Sequence, residues 1–300
     1  MTRGQLTGRS LIGYQVHREL ARIATLIALP IVIVFALPHH VLDWSSVHSM
    51  AQTHQADGGE RHNSRDSYGA DLLAGEYVIG AYSGVAYTHS SDVHIERADG
   101  ARQTLKSVKW DGLPFRNPIY YGVRVSAWAK GVPVGLMIDF THAKAIGERD
   151  NEVEVEKSGD GQPTSIRAKL GSLFRKLEFS HGHNILLLNG LLRLPMGTER
   201  LSPYVGLGAG VSIPHVEIAE QNGGGRTYGY QFAGPAFQAL AGVELRLAHT
   251  SVFLEYKLSF SPYKPILKDP AGGRLSTDLL THHLIGGFSL RASRAVPASP

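Results

Sequence analysis

Apolar and polar residues alternate with a period of two along most of the chain after residue 75. The stretch Ser202–Ser212, SPYVGLGAGVS, shows this clearly, with Val205 and Leu207 on one face and Tyr204 and the glycines on the other. The apolar face lacks the large side chains that interlock in a soluble core. Lipid can cover such a face, and glycines ease the crowding inside a narrow lumen. The pattern therefore predicts a small membrane β-barrel.

The alternation marks eight strands, an even number and the smallest that is typical of outer-membrane barrels. They are Glu76–Thr88, Ile119–Trp128, Pro133–Ala143, Leu177–Leu194, Tyr204–Val216, Gln231–Leu247, Val252–Ser261 and Thr281–Arg291. Short and long spacers alternate between them. We therefore predict an all-β fold, an eight-stranded antiparallel up-and-down transmembrane barrel over residues 75–292. Its short turns would be periplasmic, and its long outer loops would be 89–118, 144–176, 217–230 and 262–280.

Charged residues inside the predicted strands fall on the face that carries the glycines. They are Arg124, Asp139, Arg193, Glu244, Arg246, Glu255, Lys257 and Arg291. Because charge on a lipid-facing surface is costly, we predict that they point inward and pair with one another. Eight strands leave room for side chains but not for a wide channel, which argues against a porin. The alternative, a soluble β-sandwich or lipocalin-like barrel, would need bulky apolar residues on the inner faces.

The N-terminal part of the chain has a different composition. Ile23–Pro38 is continuously apolar and follows several arginines, which predicts a secretory signal or N-terminal hydrophobic segment over 1–38. A single-helix anchor is the alternative, and Pro30 argues against it. Residues 39–74 contain scattered histidines and are interpreted as a disordered polar leader rather than a metal-binding tract. Residues 293–300 form a C-terminal tail.

The composition of the chain limits the classes of ligand and partner that it can bind. The chain has no cysteine, which rules out disulfides and thiolate metal sites. A net charge of +4 is compatible with an anionic partner such as lipopolysaccharide phosphate, whereas no basic stripe of the kind that binds nucleic acid is present. We expect location in the bacterial outer membrane after insertion by the barrel-assembly machinery. The chain departs from the usual terminal aromatic residue, because SLRASRAVPASP follows Phe288.

Histidines and carboxylates are dense where strands meet the predicted outer rim. The third strand ends in DFTHAK, the fourth begins EFSHGHN, and the eighth begins Thr-His-His. Strand parity puts His181 and His183 on one face, where they could ligate a divalent metal ion or act as bases. The candidate catalytic residues are Asp139, His142, Glu178, His181, His183 and His283. The alternative is a set of interfacial histidines at headgroup height.

Two further features of the rim concern its substrate. Loop cations suited to lipid phosphates supply the candidate substrate-binding residues, namely Arg175, Lys176, Lys264 and Lys268, with ordinary solvated loops as the alternative. A serine hydrolase would need a nucleophile beside its base. Ser180 and His181 are adjacent, so a regular strand points them to opposite faces and argues against an acyl hydrolase.

Several segments resemble the lipid A oxidase family of rhizobia and related α-proteobacteria. They are WDG…PIYYGVR (110–124), DFTHAK (139–144), KLEFSHGHNILLLNGLLR (176–193), PYVGLGAGVSIPHVE (203–217), QALAGVE (238–244) and FLEYKLSF (253–260). PYVGLGAGV is generic to small outer-membrane barrels, so FTHAK, LEFSHG and the Thr-His-His entry to the last strand are the more specific part. The resemblance covers roughly residues 75–292.

The resemblance implies an outer-membrane oxidase that converts the proximal glucosamine of dephosphorylated lipid A to 2-aminogluconate. Molecular oxygen is the oxidant and hydrogen peroxide the product. The resemblance carries over no catalytic residue and no cofactor. Oxidation of a sugar hemiacetal needs a base and an electron acceptor, so we expect a divalent or redox metal ion at the rim. The alternatives are a non-enzymatic structural or surface barrel and a lipid A deacylase.

Overall fold

A computed structural model describes residues 75–158, 164–196, 198–223 and 225–293. The predicted signal segment, the polar leader and the tail beyond Ser293 lie outside these residues. The fold is all-β and antiparallel, with 72% of it in strands. Within the described ranges, no helix has the length and apolar character needed to cross a membrane.

Fifteen strands and one helical turn make up the described part of the chain. The strands are β1 (Glu76–Thr88), β2 (Ser91–Glu96), β3 (Arg102–Val108), β4 (Trp110–Asp111), β5 (Tyr121–Trp128), β6 (Val134–Gly147), β7 (Glu152–Ser158), β8 (Thr164–Lys169), β9 (Phe174–Arg193), β10 (Leu201–Ser212), β11 (His215–Glu220), β12 (Thr227–Tyr230), β13 (Gly234–Arg246), β14 (Thr250–Tyr263) and β15 (Arg274–Ser293). The helical turn, α1, spans Leu170–Leu173 and joins β8 to β9.

Eight of these strands form a closed ring. Neighbours follow the order β1, β5, β6, β9, β10, β13, β14 and β15, and β15 pairs again with β1. The closing pair is antiparallel and runs from Glu76 opposite Ser293 to Thr88 opposite Thr281. These are the eight strands that the alternation predicts, in the predicted order, and the predicted bounds of the first strand agree with those of β1.

The two faces of the ring strands differ as the alternation predicts. Tyr121, Val123 and Val125 on β5 are exposed, whereas Arg124 and Ser126, which alternate with them, are buried. The same contrast holds on the other strands, whose exposed apolar residues include Leu136, Ile138, Leu188, Leu207, Val252, Leu254 and Leu290. The ring therefore presents apolar side chains outward and holds its charged residues inside.

All four of the predicted outer loops contain strand residues: 217–230 holds most of β11 and all of β12, and 262–280 holds the beginning of β15. Residues 89–118 contain β2, β3 and β4, and residues 144–176 contain β7 and β8. Strand β2 pairs with the extension of β15, and β3, β7 and β8 follow in order, while β11 pairs with β9 and β12. The prediction of plain loops is wrong because short alternating runs there, such as Val93 with Ile95 and Val153 with Val155, bury one face.

These additional strands enclose a large apolar cluster, here called the upper core. Its members are Val93, Ile95, Leu105, Val108, Trp110, Ala145, Val153, Val155, Leu170, Phe174, Leu177, Phe179, Val216, Ile218, Ala233, Tyr263, Leu267, Leu275 and Leu279. The chain thus combines a ring that has a polar interior with a second part that has a conventional apolar core. The strands β2, β3, β7, β8, β11 and β12 of this second part are here called the upper sheet. The strand ends that carry the candidate site lie where these two parts meet.

Candidate functional site

The interior of the ring holds a continuous network of buried charges. Asp139 Oδ2 lies 2.5 Å from Lys257 Nζ, and neither side chain is exposed. The Tyr82 hydroxyl donates to Asp139 Oδ1 at 2.7 Å and accepts from Lys257 Nζ at 2.8 Å. Asp139 is therefore fully engaged inside the ring. It belongs to the interior network rather than to the predicted reactive rim.

The rest of the network confirms the predicted inward direction of the strand charges. Arg124 Nη1 lies 2.9 Å from Glu255 Oε2, and the Tyr204 hydroxyl donates to the same oxygen at 2.6 Å. Glu244 accepts from the Ser251 hydroxyl at 2.5 Å. The polar interior is thereby satisfied mainly by its own side chains.

One charged member of this network, Glu76, was not predicted from the sequence. Glu76, at the start of β1, lies 2.8 Å from Arg193 and 2.5 Å from Arg291. It joins two predicted inward arginines at the end of the ring remote from the upper core. Because Glu76 is the first residue of its strand, the alternation did not indicate that it pairs with these arginines.

Two buried histidines of the candidate set, His183 and His283, also lie away from the outer surface. His283 is buried, with Nδ1 3.0 Å from the Tyr120 hydroxyl and Nε2 2.8 Å from the Ser259 hydroxyl. His183 is fully buried and its Nδ1 hydrogen-bonds the Tyr263 hydroxyl of the upper core. Both side chains are held by packing and hydrogen bonds in the interior.

His181 and His183 do not share a face, contrary to the expectation from strand parity. His183 is buried against Tyr263, whereas His181 is exposed and its ring centroid lies 4.9 Å from that of His215. The cause is an irregularity of β9 between them. Five residues of β9, from Phe179 to His183, lie opposite only three of β6, from Ala143 to Ala145, and Gly182 has a φ of +136°. The two histidines therefore cannot ligate one metal ion.

The same irregularity reverses the expectation for Ser180 and His181. The Ser180 hydroxyl lies 3.4 Å from His181 Nδ1, a distance at which the serine can hydrogen-bond the imidazole. The geometric objection to a serine–histidine pair therefore fails at this point of β9. Strand parity was a sound rule for a regular strand, and this segment is not regular.

A cavity of about 330 Å³ opens on the outer face where β6, β9 and the segment before β5 meet. It is here called the rim cavity. Its lining is Leu113, Arg116, Asn117, Pro118, Lys144, Ile146, Gly147, Arg149, Leu170, Phe174, Arg175, Lys176, Leu177, Glu178, Ser180 and His181. Five cations and one carboxylate thus surround a pocket whose remaining walls are largely apolar. Such a pocket suits an anionic amphiphile.

Two lysines define the electrostatics of the rim cavity. Lys144 is buried and donates to the Arg116 carbonyl at 2.5 Å, and burial together with the Arg116 charge lowers its pKa. Lys176 is half-exposed and pairs with the buried carboxylate of Glu178, a hydrogen bond that raises the pKa of Lys176. An anion entering the cavity would relieve the repulsion between Lys144 and Arg116.

The outer face continues from the rim cavity onto β11 and β12. Glu217 lies directly opposite Glu178 in the β9–β11 register, and Tyr228 lies opposite Glu217 on β12. The ring of Tyr228 packs 4.5 Å from that of His215. Burial, and then the neighbouring His181, lowers the pKa of His215. Two carboxylates, two imidazoles and a tyrosine ring thus lie together beside the cations.

Some of the remaining candidate residues lie at or beside the rim cavity, and others lie away from it. His142 lies on the outer face of β6, stacked on Tyr121 with its Nδ1 2.8 Å from Asn184. Arg175 and Lys176 line the rim cavity. Lys264 and Lys268 instead lie exposed between β14 and β15, outside the lining of that cavity.

The metal prediction finds no support in the described ranges. Across 75–158, 164–196, 198–223 and 225–293, no group of three or more histidine, aspartate or glutamate side chains is arranged to hold a metal ion. Glu178, the carboxylate nearest to His181 along β9, is paired with Lys176. The donor set at the rim therefore does not fit a three-ligand redox metal.

Several residues of the rim cavity were not predicted from the sequence. Arg116 and Arg149 come from segments that the alternation left as loops, and their approach to β9 depends on the upper sheet. Lys144 stood within the DFTHAK motif, at the same parity as the outward Ile138 and His142. That shared parity was the one feature of the sequence that indicated an outward position for Lys144.

No protein-family model and no curated protein matches the chain. Among solved structures, the crystal structure of Neisserial surface protein A (NspA) is similar at a TM-score of 0.33 and 10% sequence identity. That alignment covers 72% of this chain and 96% of the other.

Proposed function

We propose that this protein is an outer-membrane β-barrel that binds lipid A at its outer rim and oxidises its reducing-end glucosamine. The observation that carries the proposal is the rim cavity, in which five cations and apolar walls lie together on the outer face. The cations suit the anionic groups of the lipid, and the apolar walls suit the first carbons of its acyl chains.

The outward face of the ring supports the membrane part of the proposal. Ile138, Val125 and Leu254 are each about half exposed or more, although they lie in the middle of their strands. A water-exposed surface of this kind would be unstable, whereas lipid covers it without cost. The charged groups of the same strands point to the opposite face. The ring strands would therefore span the bilayer and place the upper sheet outside the cell.

The position of the rim cavity supports a lipid substrate. Lys144 and Ile146 follow Ile138 and Phe140 on the same outward parity of β6. The cations thus begin where the apolar band ends, at the height of the lipid headgroups. A lipid could enter sideways from the outer leaflet with its acyl chains still in the membrane.

The reaction removes two electrons and two protons from the sugar. The hemiacetal hydroxyl loses its proton, the C1–H bond breaks, and C1 becomes a lactone carbonyl, while molecular oxygen is reduced to hydrogen peroxide. Water then opens the lactone to the acid. His181 lines the rim cavity and is exposed, so it is the side chain placed to accept the hydroxyl proton. Lys144 and Arg116 would hold the anionic groups during this step.

The test uses a deletion strain that carries plasmid copies of the wild type, Lys144→Met, Arg175→Ala or His181→Asn. Lipid A is analysed by mass spectrometry, and assembly by the amount of folded barrel in the membrane. We expect wild-type lipid A to gain the mass of one oxygen atom and the three variants to lose most of that product. Lys264→Ala is the matched control, because that exposed lysine lies outside the cavity lining. Unchanged lipid A in the deletion strain would overturn the oxidase assignment and favour a structural barrel.

Hydrolysis of an acyl ester is the second candidate, and one observation favours it. The Ser180 hydroxyl lies 3.4 Å from His181 Nδ1 within the lining of the rim cavity. This reaction would remove one acyl chain from lipid A instead of adding oxygen. Hydrolysis in place of oxidation would be established if lipid A from cells with the wild-type protein lacks the mass of one fatty acid. Lipid A from Ser180→Ala cells should then keep that fatty acid, and lipid A from Ser172→Ala cells should still lack it.

A further inference from the structure

Two histidines converge on the strands that close the ring. His89 follows β1 and His282 lies on β15, and their Nε2 atoms are 2.7 Å apart. The ring centroids are separated by 4.8 Å. Two neutral imidazoles at this distance can share a single proton, and both nitrogens cannot carry hydrogens directed at each other. The two Nε2 atoms therefore converge on one point, where a single cation can be shared once they move slightly apart.

The orientation of this pair is held by tyrosines. The Tyr256 hydroxyl lies 2.5 Å from His282 Nδ1 and leaves Nε2 of that ring directed at His89. Tyr87 packs its ring 5.3 Å from that of His89 and 6.2 Å from that of His282. Metal-ligating histidines are oriented in this way, with one ring nitrogen on the metal and the other on a hydrogen-bond partner.

We propose that His89 and His282 bind one divalent transition-metal ion through their Nε2 atoms. Imidazole suits Cu²⁺ and Zn²⁺, and Cu²⁺ is bound most strongly of the first-row divalent ions. Metal–nitrogen distances of about 2.0–2.1 Å require the two nitrogens to move apart by a few tenths of an ångström. Both rings lie at the exposed rim, where a small side-chain rotation accomplishes this. Water or an anion completes the coordination.

The site is independent of the proposed function. It lies on β14, β15 and the segment after β1, whereas the rim cavity is built on β6, β9 and the segment before β5. It uses two protein ligands, so it differs from the three-ligand rim metal for which the described residues give no support. Substitution of His89 or His282 would leave the cations that surround the rim cavity in place.

The experiment is a Cu²⁺ titration of the full chain in detergent micelles, followed by calorimetry and electron paramagnetic resonance. The chain has 15 histidines, so the informative quantity is the difference between variants. We expect His89→Ala, His282→Ala and the double variant each to lose the same single equivalent of Cu²⁺. His249→Ala, which removes an exposed histidine between β13 and β14, is the matched control and should lose none of it.

Tyr256→Phe tests the positioning role of the hydroxyl. This variant should bind the same number of Cu²⁺ ions, but its affinity for the ion held by His89 and His282 should fall about 10–100-fold. Full retention of Cu²⁺ stoichiometry and affinity in His89→Ala would overturn the site, as would a double variant that loses two independent equivalents. If His282→Ala fails to assemble, His89→Ala decides alone, because His89 lies outside the ring strands.

Discussion

Lys257 Nζ and Asp139 Oδ2 lie 2.5 Å apart inside the ring, and both side chains are completely buried. The two residues belong to β14 and β6, which are not neighbours in the ring. Their ion pair therefore crosses the interior. The Tyr82 hydroxyl from β1 bonds to both partners, so three separate strands are joined at one point.

We predict that Lys257→Met or Asp139→Asn lowers the free energy of unfolding by about 3–5 kcal/mol, because each leaves a buried charge without its closest partner. Urea unfolding in lipid vesicles measures the change. The double variant Lys257→Met/Asp139→Asn should be less destabilised than the two single changes added together. Strict additivity would show that the two groups do not interact.

Gly122 provides a second prediction, because it lies against the ring of Tyr82. A Cβ atom at residue 122 would be 2.0 Å from Tyr82 Cζ. Gly122→Ala must displace the tyrosine from Asp139 and Lys257, and we expect a loss of about 1–3 kcal/mol. Gly190→Ala on β9 is the matched control, since its nearest neighbour would be 4.0 Å away. Equal stability of the two variants would mean that Tyr82 is not held in this position.

Arg97 supports a prediction about the upper sheet. Its guanidinium pairs with Asp269 at 2.9 Å and with Glu220, and so joins the end of β2 to the β14–β15 connection and to β11. We expect Arg97→Ala to speed amide hydrogen exchange in β2 and β3 roughly tenfold, since local opening no longer breaks these contacts. The matched control is Arg102→Ala, whose guanidinium is exposed and pairs only locally with Glu96. Exchange that is unchanged in Arg97→Ala contradicts this role.

His215 carries a pH prediction. Burial and the adjacent His181 lower its pKa, so the unfolded chain takes up this proton at a higher pH than the folded protein does. Stability should therefore fall as the pH drops from the ordinary histidine value, about 6.5, toward the lowered one. Histidine NMR should report a pKa below 6.5 for His215, and His181→Gln should raise it. A His215 pKa that is unaffected by His181→Gln would contradict the electrostatic contribution.

The strand pattern predicted the ring well because the burial of a strand residue depends on its parity. Arg124, Asp139 and Lys257 were assigned to the interior from alternation alone, and all three are buried and paired. The partner of each residue was not predictable. The crossing of Lys257 to Asp139 depends on the closure of the ring, which brings together strands that are distant in the sequence.

The candidate site was predicted less well, because it depends on departures from the regular strand. The irregularity at Gly182 separates His181 from His183 and brings Ser180 to His181. Arg116 and Arg149 reach the rim cavity only because the supposed loops fold into an upper sheet. Lys176, a candidate substrate-binding residue, and Glu178, a candidate catalytic residue, both line the cavity, where they form an ion pair with each other.

The sequence by itself determined the number of ring strands, their order and which face of each strand is apolar. These properties follow from local alternation, because each residue is sorted by its own polarity. The tertiary structure alone decided which rim side chains meet, where the cavity opens and that His89 converges on His282. Such contacts join residues far apart in the chain, and their geometry depends on strand register, one local irregularity and the packing of the upper core.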